Sequence, residues 1–182
     1  METELNASSQ EIDVLVVIDT DYVRTNYPKP SQDPNNPTGI DHNSQHMIVS
    51  NANAISGQGT ADLNFKAKAG DTVSFRSTSI YQNSDDAVMI YNIKYWSGDQ
   101  VFNNFVYDAV IRKNAVVPNY NSPNGLPADT ASITFSSFDS KVRNTGTENF
   151  YVQFALYTLD PNDSNKQILF GYYYWDPTIT VK

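Results

Sequence analysis

The chain has 182 residues, 40% of them apolar and 13% aromatic, which suffices for one packed domain and leaves little room for a second core. Its formal net charge of −8 and pI ≈ 4.5 give a field that repels phosphate backbones and anionic lipid, so nucleic acid and membrane surfaces are not the expected partners. The absence of cysteine excludes disulfides, thiolate metal sites and a cysteine nucleophile.

The opening METELNASSQ is polar and acidic, without a basic region or an apolar run. It reads as a flexible arm over residues 1–10 rather than a Sec signal peptide, and a cytoplasmic location is expected, with release by a non-Sec route left open. EIDVLVVID then alternates with period two: Ile12, Val14, Val16 and Ile18 share one face, and Asp13, Leu15, Val17 and Asp19 the other. A long insertion follows, from about residue 22 to residue 45, in which Pro28, Pro30, Pro34 and Pro37 disfavour regular helix and a central ladder. ADLNFKA sets Ala61, Leu63, Phe65 and Ala67 inward, Gly70 marks a turn, and TVSFRSTS reads as the partner strand of a hairpin. AVMIYNIKYW places Ala87, Met89, Tyr91, Ile93 and Tyr95 on one side.

Residues 102–117 fit either a helical stripe or a strand, and their β-branched and aromatic content favours strand. PNYNSPNGLPAD is a second long loop, ASITFSSF, NFYVQFALYTL and QILFGYYYW are further strands, and TITV closes the chain. The run Tyr172 to Trp175 must alternate faces, so about half of it leaves the core. The expected architecture is all-β: an antiparallel, jelly-roll-like two-sheet β-sandwich of about nine or ten strands, with residues 11–182 as a single domain.

Several residues are candidates for chemistry. Asp19 and Asp21, two apart at the end of a strand, would share a face about 6–7 Å apart. Asp33, Asn35, Asn36, Asp41 and Asn43 crowd oxygen donors into the proline loop. Asp19, Asp21 and Asp41 are the candidate calcium ligands, although the spacing does not follow the D-x-[DN]-x-[DN]-G loop. His42 and His46 would face one zinc on a helix, but the surrounding prolines favour exposed loop histidines. Asp160 to Asn165 resembles the start of a cation loop and reads better as a hairpin turn, because Gly171 stands where the bidentate Glu would be. Trp96 and Trp175 are the aromatic candidates, each equally readable as core or as a surface on which a sugar ring stacks. There is neither a G-x-S-x-G nor a glycine-rich phosphate loop.

VLVVIDTDYV, NYPKPSQDPNNPTGIDHNSQHMI, KAGDTVSFR and FGYYYWDPTITVK together resemble the AidA/PixA inclusion-body protein family of bacteria, over about residues 12–182. The resemblance implies a small cytoplasmic β-sandwich protein, made in quantity under cell-density or stationary-phase control by bacteria living with hosts and stored by some members in inclusions. It brings no catalytic residues. Two function classes follow. One is a lectin-like carbohydrate-binding protein, calcium-assisted or not, whose ligand sits on Asp19, Asp21, Asp33, Asn35, Asn36, Asp41, His42, Asn43, Trp96 and Trp175. The other is a self-assembling storage protein with no small-molecule ligand; a homo-oligomer is expected. The third class, an enzyme using Asp19 and Asp21 as acid and base, is disfavoured by the missing catalytic set.

Overall fold

A computed structural model describes residues 9–182, and the expected arm lies largely outside them. Gln10 is already fixed: its backbone N–H and its side-chain amide donate to the two carboxylate oxygens of Asp71, at 3.0 and 3.1 Å. From there the chain runs through twelve strands and one short helix: β1 (Glu11–Ile18), α1 (Thr20–Asn26), β2 (Thr38–Gly39), β3 (Gln45–Ile48), β4 (Ala54–Ser56), β5 (Leu63–Phe65), β6 (Thr72–Ser79), β7 (Ala87–Gly98), β8 (Val106–Val117), β9 (Asp129–Lys141), β10 (Gly146–Asp160), β11 (Asp163–Trp175) and β12 (Thr178–Val181).

Two sheets face one another. The first has the order β3-β1-β6-β9-β8; the second has the order β2-β11-β10-β12-β5-β4, with β7 on the other edge of β10. Between them lies one core, in which Ile12, Val14, Val16 and Ile18 of β1 meet Leu63, Phe65, Val73, Phe75, Phe150, Phe154, Tyr173 and Trp175. The inward face of β1 is the one its alternation marks, and residues 106–117 are strand.

The sheets are mixed rather than antiparallel. β1 runs parallel to β6, β12 to β5 and β11 to β2. Parallel neighbours need long connections, and the chain supplies one between β1 and β6 by passing through α1, β2 in the other sheet, β3 beside β1, and then β4 and β5 in the other sheet. For the same reason residues 61–79 do not form the expected hairpin: β5 pairs with β12 and β4, while β6 pairs with β1 and β9 in the opposite sheet. On β7 the inward face begins with Val88 and Ile90 and switches to Ile93, because one extra residue, Tyr91, interrupts the pairing with β10.

Helix α1 occupies the start of the expected insertion. Asp19 caps it, its side chain accepting from the backbone N–H of Tyr22 at 3.0 Å. Val23 and Thr20 bury the inner side of the helix, and Pro28 follows its end, where proline is compatible with termination. On its outer side Arg24 reaches the buried carboxylate of Asp86 at 3.0 Å and lies 5.7 Å from the Phe170 ring centre.

Candidate functional site

The proline loop is stitched along the free edge of β11. Ser31 bridges to Tyr172, β2 adds Thr38 and Gly39 in parallel opposite Tyr173 and Tyr174, and Ile40 donates to the Tyr174 carbonyl at 3.0 Å. Gln32 caps the Phe170 carbonyl at 2.8 Å. Such an irregular, proline-bearing segment covers a sheet edge that would otherwise present unpaired backbone groups. Gly39 has a packing reason, since a Cβ there would stand 2.9 Å from the Tyr174 ring.

The polar side chains of this loop divide into separate local networks. Asp33 accepts from the Asn35 backbone and side chain at 2.9 and 3.2 Å, a turn of the Asx kind, and Asn36 closes it by donating to the Asp33 carbonyl. Asp41 accepts from the Tyr22 hydroxyl and from the Asn43 amide, both at 2.7 Å. Burial pushes the Asp41 carboxyl up, but the hydrogen bonds from Tyr22, Asn43 and Tyr27 outweigh it and hold it below its ordinary value; the bond to Asp41 raises the Tyr22 phenol. His42 lies between Asp176 at 3.1 Å and Asp62 at 3.5 Å. Asp21 accepts from the Tyr81 hydroxyl at 2.6 Å. His46 stands on β3, its ring 3.0 Å from the Gly59 carbonyl.

Asp19, Asp21 and Asp41 therefore do not meet around one point. The expected shared strand face fails because Asp19 is a helix cap, and among the described residues no group of three or more His, Asp or Glu side chains is arranged to hold a metal ion. Trp175 also leaves the candidate set. Its side chain is fully buried beside Phe154, and its indole N–H donates to the Ala61 carbonyl at 3.4 Å. In the alternating run it falls on the inner face with Tyr173, while Tyr172 and Tyr174 point outward.

Trp96 has the opposite fate. It is the extra residue where β7 slips against β10 between Tyr95 and Ser97, and it is 47% exposed. Its indole stacks on Tyr151 at 5.7 Å and 21°, and Tyr151 meets Tyr174 edge-on at 5.1 Å. The aromatic row thus crosses β7, β10 and β11 on the outer face of the second sheet. Direct cross-strand pairing sets Lys94 beside Tyr151, and Asn92 and Tyr174 on either side of Gln153. The Asn92 amide donates to Gln153 at 2.8 Å, and Asn149 donates to Ser97 at 3.0 Å. One end of this face is walled by the loop: Tyr91 packs edge-on against Tyr172 at 5.5 Å and donates its hydroxyl to the Pro34 carbonyl at 2.8 Å. Burial pushes the Tyr91 phenol up to about 12.

On the edge side of β7 lies a cleft of about 780 Å³, lined by Asn92, Lys94 and Tyr95 together with Asn104, Arg143 and Glu148, over Phe102 and Phe150. Glu148 is nearly fully buried, and one carboxylate oxygen accepts the backbone N–H groups of Val101 and Phe102 at 2.6 and 2.9 Å. Burial raises this carboxyl above its ordinary value although the two N–H bonds pull the other way. The sequence reading missed Tyr151, Tyr174, Asn92, Gln153 and Glu148. The signals available were the alternation of Asn149, Tyr151 and Gln153 with Phe150, Val152 and Phe154, and the alternation within Tyr172 to Trp175 that sends Tyr174 outward.

The site and its scaffold can be compared with known proteins. A search among curated proteins returns no match. The crystal structure of an inclusion body protein (PixA) from Burkholderia cenocepacia J2315 is similar to this chain, with a TM-score of 0.75 and 31% identity, covering 99% of this chain and 100% of that one. The model of the PixA inclusion body protein family matches residues 10–181. With that match running through both sheets, the proline loop and the aromatic face, the chain belongs to the PixA family of inclusion body proteins.

Proposed function

We propose that the protein is a lectin-like carbohydrate-binding protein whose ligand lies on the outer face formed by Trp96, Tyr151 and Tyr174. The observation that carries this reading is the half-exposed Trp96 indole standing in an aromatic row with Tyr151 and Tyr174, beside which the Asn92 and Gln153 amides pair with each other. Sugar rings present an apolar C–H face and a rim of hydroxyls. They are recognised by an aromatic surface for the first and by amides or hydroxyls for the second. The proline loop serves as the wall at Tyr91 and Tyr172, and Asp33, Asn35 and Asn36 close a turn within it rather than forming a metal centre. Calcium is not required by this geometry, since Asp19, Asp21 and Asp41 are each engaged separately. Chemistry on the ligand is not part of the proposal: binding is.

Screening the protein on a glycan array with and without a chelator tests the reading. Binding to at least one class of glycan in both conditions is expected; no binding to any glycan at high protein concentration rules it out.

A second reading, self-assembly, is favoured by a different surface. β8 carries Val106, Tyr107, Val110, Ile111 and Val116, each at least half exposed, and exposed apolar area of that extent marks an interface between proteins.

A further inference from the structure

The hairpin of β8 and β9 leaves the sandwich. β6 holds β9 only through Thr72–Phe75, opposite Phe138–Lys141. β8 and β9 remain paired to each other from Val106 and Asp139 to Val117 and Asp129. Beyond Phe138, toward its tip, the hairpin is a two-stranded ribbon with no third strand among the described residues. A two-stranded ribbon is marginal on its own in water, and while Ile133 and Phe135 of β9 line a cleft with Leu15, Arg76 and Met89 of the sandwich, β8 exposes apolar side chains on both faces as well as its backbone edge.

The charges on that edge select what covers it. In an antiparallel pair of identical strands related by a two-fold axis, one residue lies opposite its own copy, and the residues on either side pair reciprocally. With Val110 on the axis, Asp108 of each copy stands opposite Arg112 of the other. Moving the axis to Ala109 sets Asp108 opposite Val110, and moving it to Ile111 sets Asp108 opposite Asn114, so neither places the carboxylate opposite a guanidinium. Direct pairing also puts Asp108, Val110 and Arg112 on one face with Ser137, Phe135 and Ile133 of β9. The same axis therefore lines up Phe135, Val110, Val110 of the second copy and Phe135 of the second copy across four strands. The bulge between Arg112 and Ala115 ends the regular stretch just beyond the charged pair.

The geometry points to a two-fold dimer in which the β8 strands of two copies pair antiparallel about Val110, joining their ribbons into a four-stranded sheet with two reciprocal Asp108–Arg112 contacts. This names the interface for the self-assembly reading and is independent of the carbohydrate site.

Sedimentation across a concentration series tests it with four proteins: the wild type, Asp108→Arg, Arg112→Asp and the double exchange. Each single exchange sets two like-charge pairs opposite one another and is expected to weaken dimerisation about tenfold or more, and the double exchange to restore it to within about threefold. Because all these positions are solvent-exposed, thermal unfolding of the variants at low concentration should match the wild type. Should a charge exchange fail to fold, Val110→Lys, which places two ammonium groups on the axis, takes its place with the same expectation. Amide hydrogen exchange at residues 107–112 should also slow as the wild-type concentration rises. A wild type that stays monomeric at high concentration overturns both the interface and the self-assembly reading. One that associates equally well in both single exchanges overturns the interface alone.

Discussion

At the scale of single residues, Trp96 and Trp175 show how local register decides a side chain's role. Trp175 pairs directly with Val152 and is delivered to the core, whereas Trp96 occupies a bulge and stands outside. Trp96→Ala is therefore expected to weaken sugar binding about tenfold or more with little change in unfolding temperature, as measured by calorimetric titration and thermal melts. Trp175→Ala should instead cost about 3–5 kcal/mol of stability, measured by urea unfolding. Glu148 supports a different expectation. Its raised folded-state pKa means the native state holds the proton more tightly than the unfolded chain, so its contribution is most favourable below the unfolded value. That contribution is lost as pH rises through the folded one. Glu148→Gln keeps an acceptor for Val101 and Phe102 and should gain stability relative to wild type as pH rises. Glu148→Ala strands two buried N–H groups and should lose about 1–3 kcal/mol for each left unsatisfied. Asp71 has the opposite sign. Burial pushes it up, but the bonds from Lys68 and Gln10 hold it below its ordinary value. Its stabilisation is present above the unfolded pKa and disappears as pH falls through the folded one, so Asp71→Asn should flatten the acid limb of a stability–pH curve.

Among the elements, helix α1 is where the strand reading ran too far. Asp19 is both the residue after β1 and the cap of α1, and its hydrogen bond to Tyr22 anchors the first turn. Asp19→Ala should cost about 0.5–2 kcal/mol in urea unfolding, and Asp19→Asn much less, since asparagine caps equally well. Alternation in β1, β5, β10 and β11 was legible because one face of each is buried, and a period of two reports that directly. Pairing partners were not legible, because alternation says which side faces the core and nothing about which strand lies alongside. That is why Leu63–Phe65 and Thr72–Ser79 read as a hairpin while they belong to opposite sheets. The aromatic face was half legible for the same reason. Trp96 stood out by composition, but Tyr151, Gln153 and Tyr174 reach it only through cross-strand register and two bulges. The proline loop was legible as an interruption of regular structure rich in oxygen donors, yet its carboxylates and amides close turns and bind tyrosines instead of converging.

Taken whole, the molecule combines a two-sheet core with two outward surfaces of different character: a polar aromatic face on the second sheet and an apolar ribbon extending from the first. A charge of −8 on each copy opposes association at long range, and the Debye length shortens from about 30 Å at 0.01 M salt to about 8 Å at physiological strength. Self-association followed by light scattering should accordingly strengthen over that range, since screening relieves the net repulsion more than it weakens two exposed ion pairs. Sugar binding should change little over the same range, because stacking and neutral amides carry it. The protein holds two tryptophans, and Trp175 is sealed in the core while Trp96 lies on the proposed site, so indole emission reports the site against a constant background. Titrating the protein with the glycan selected by the array should give a saturable change in tryptophan emission that persists with chelator present and vanishes in Trp96→Phe. Binding seen by calorimetry with no change in wild-type emission, or with an emission change retained in Trp96→Phe, would contradict the placement of the carbohydrate site.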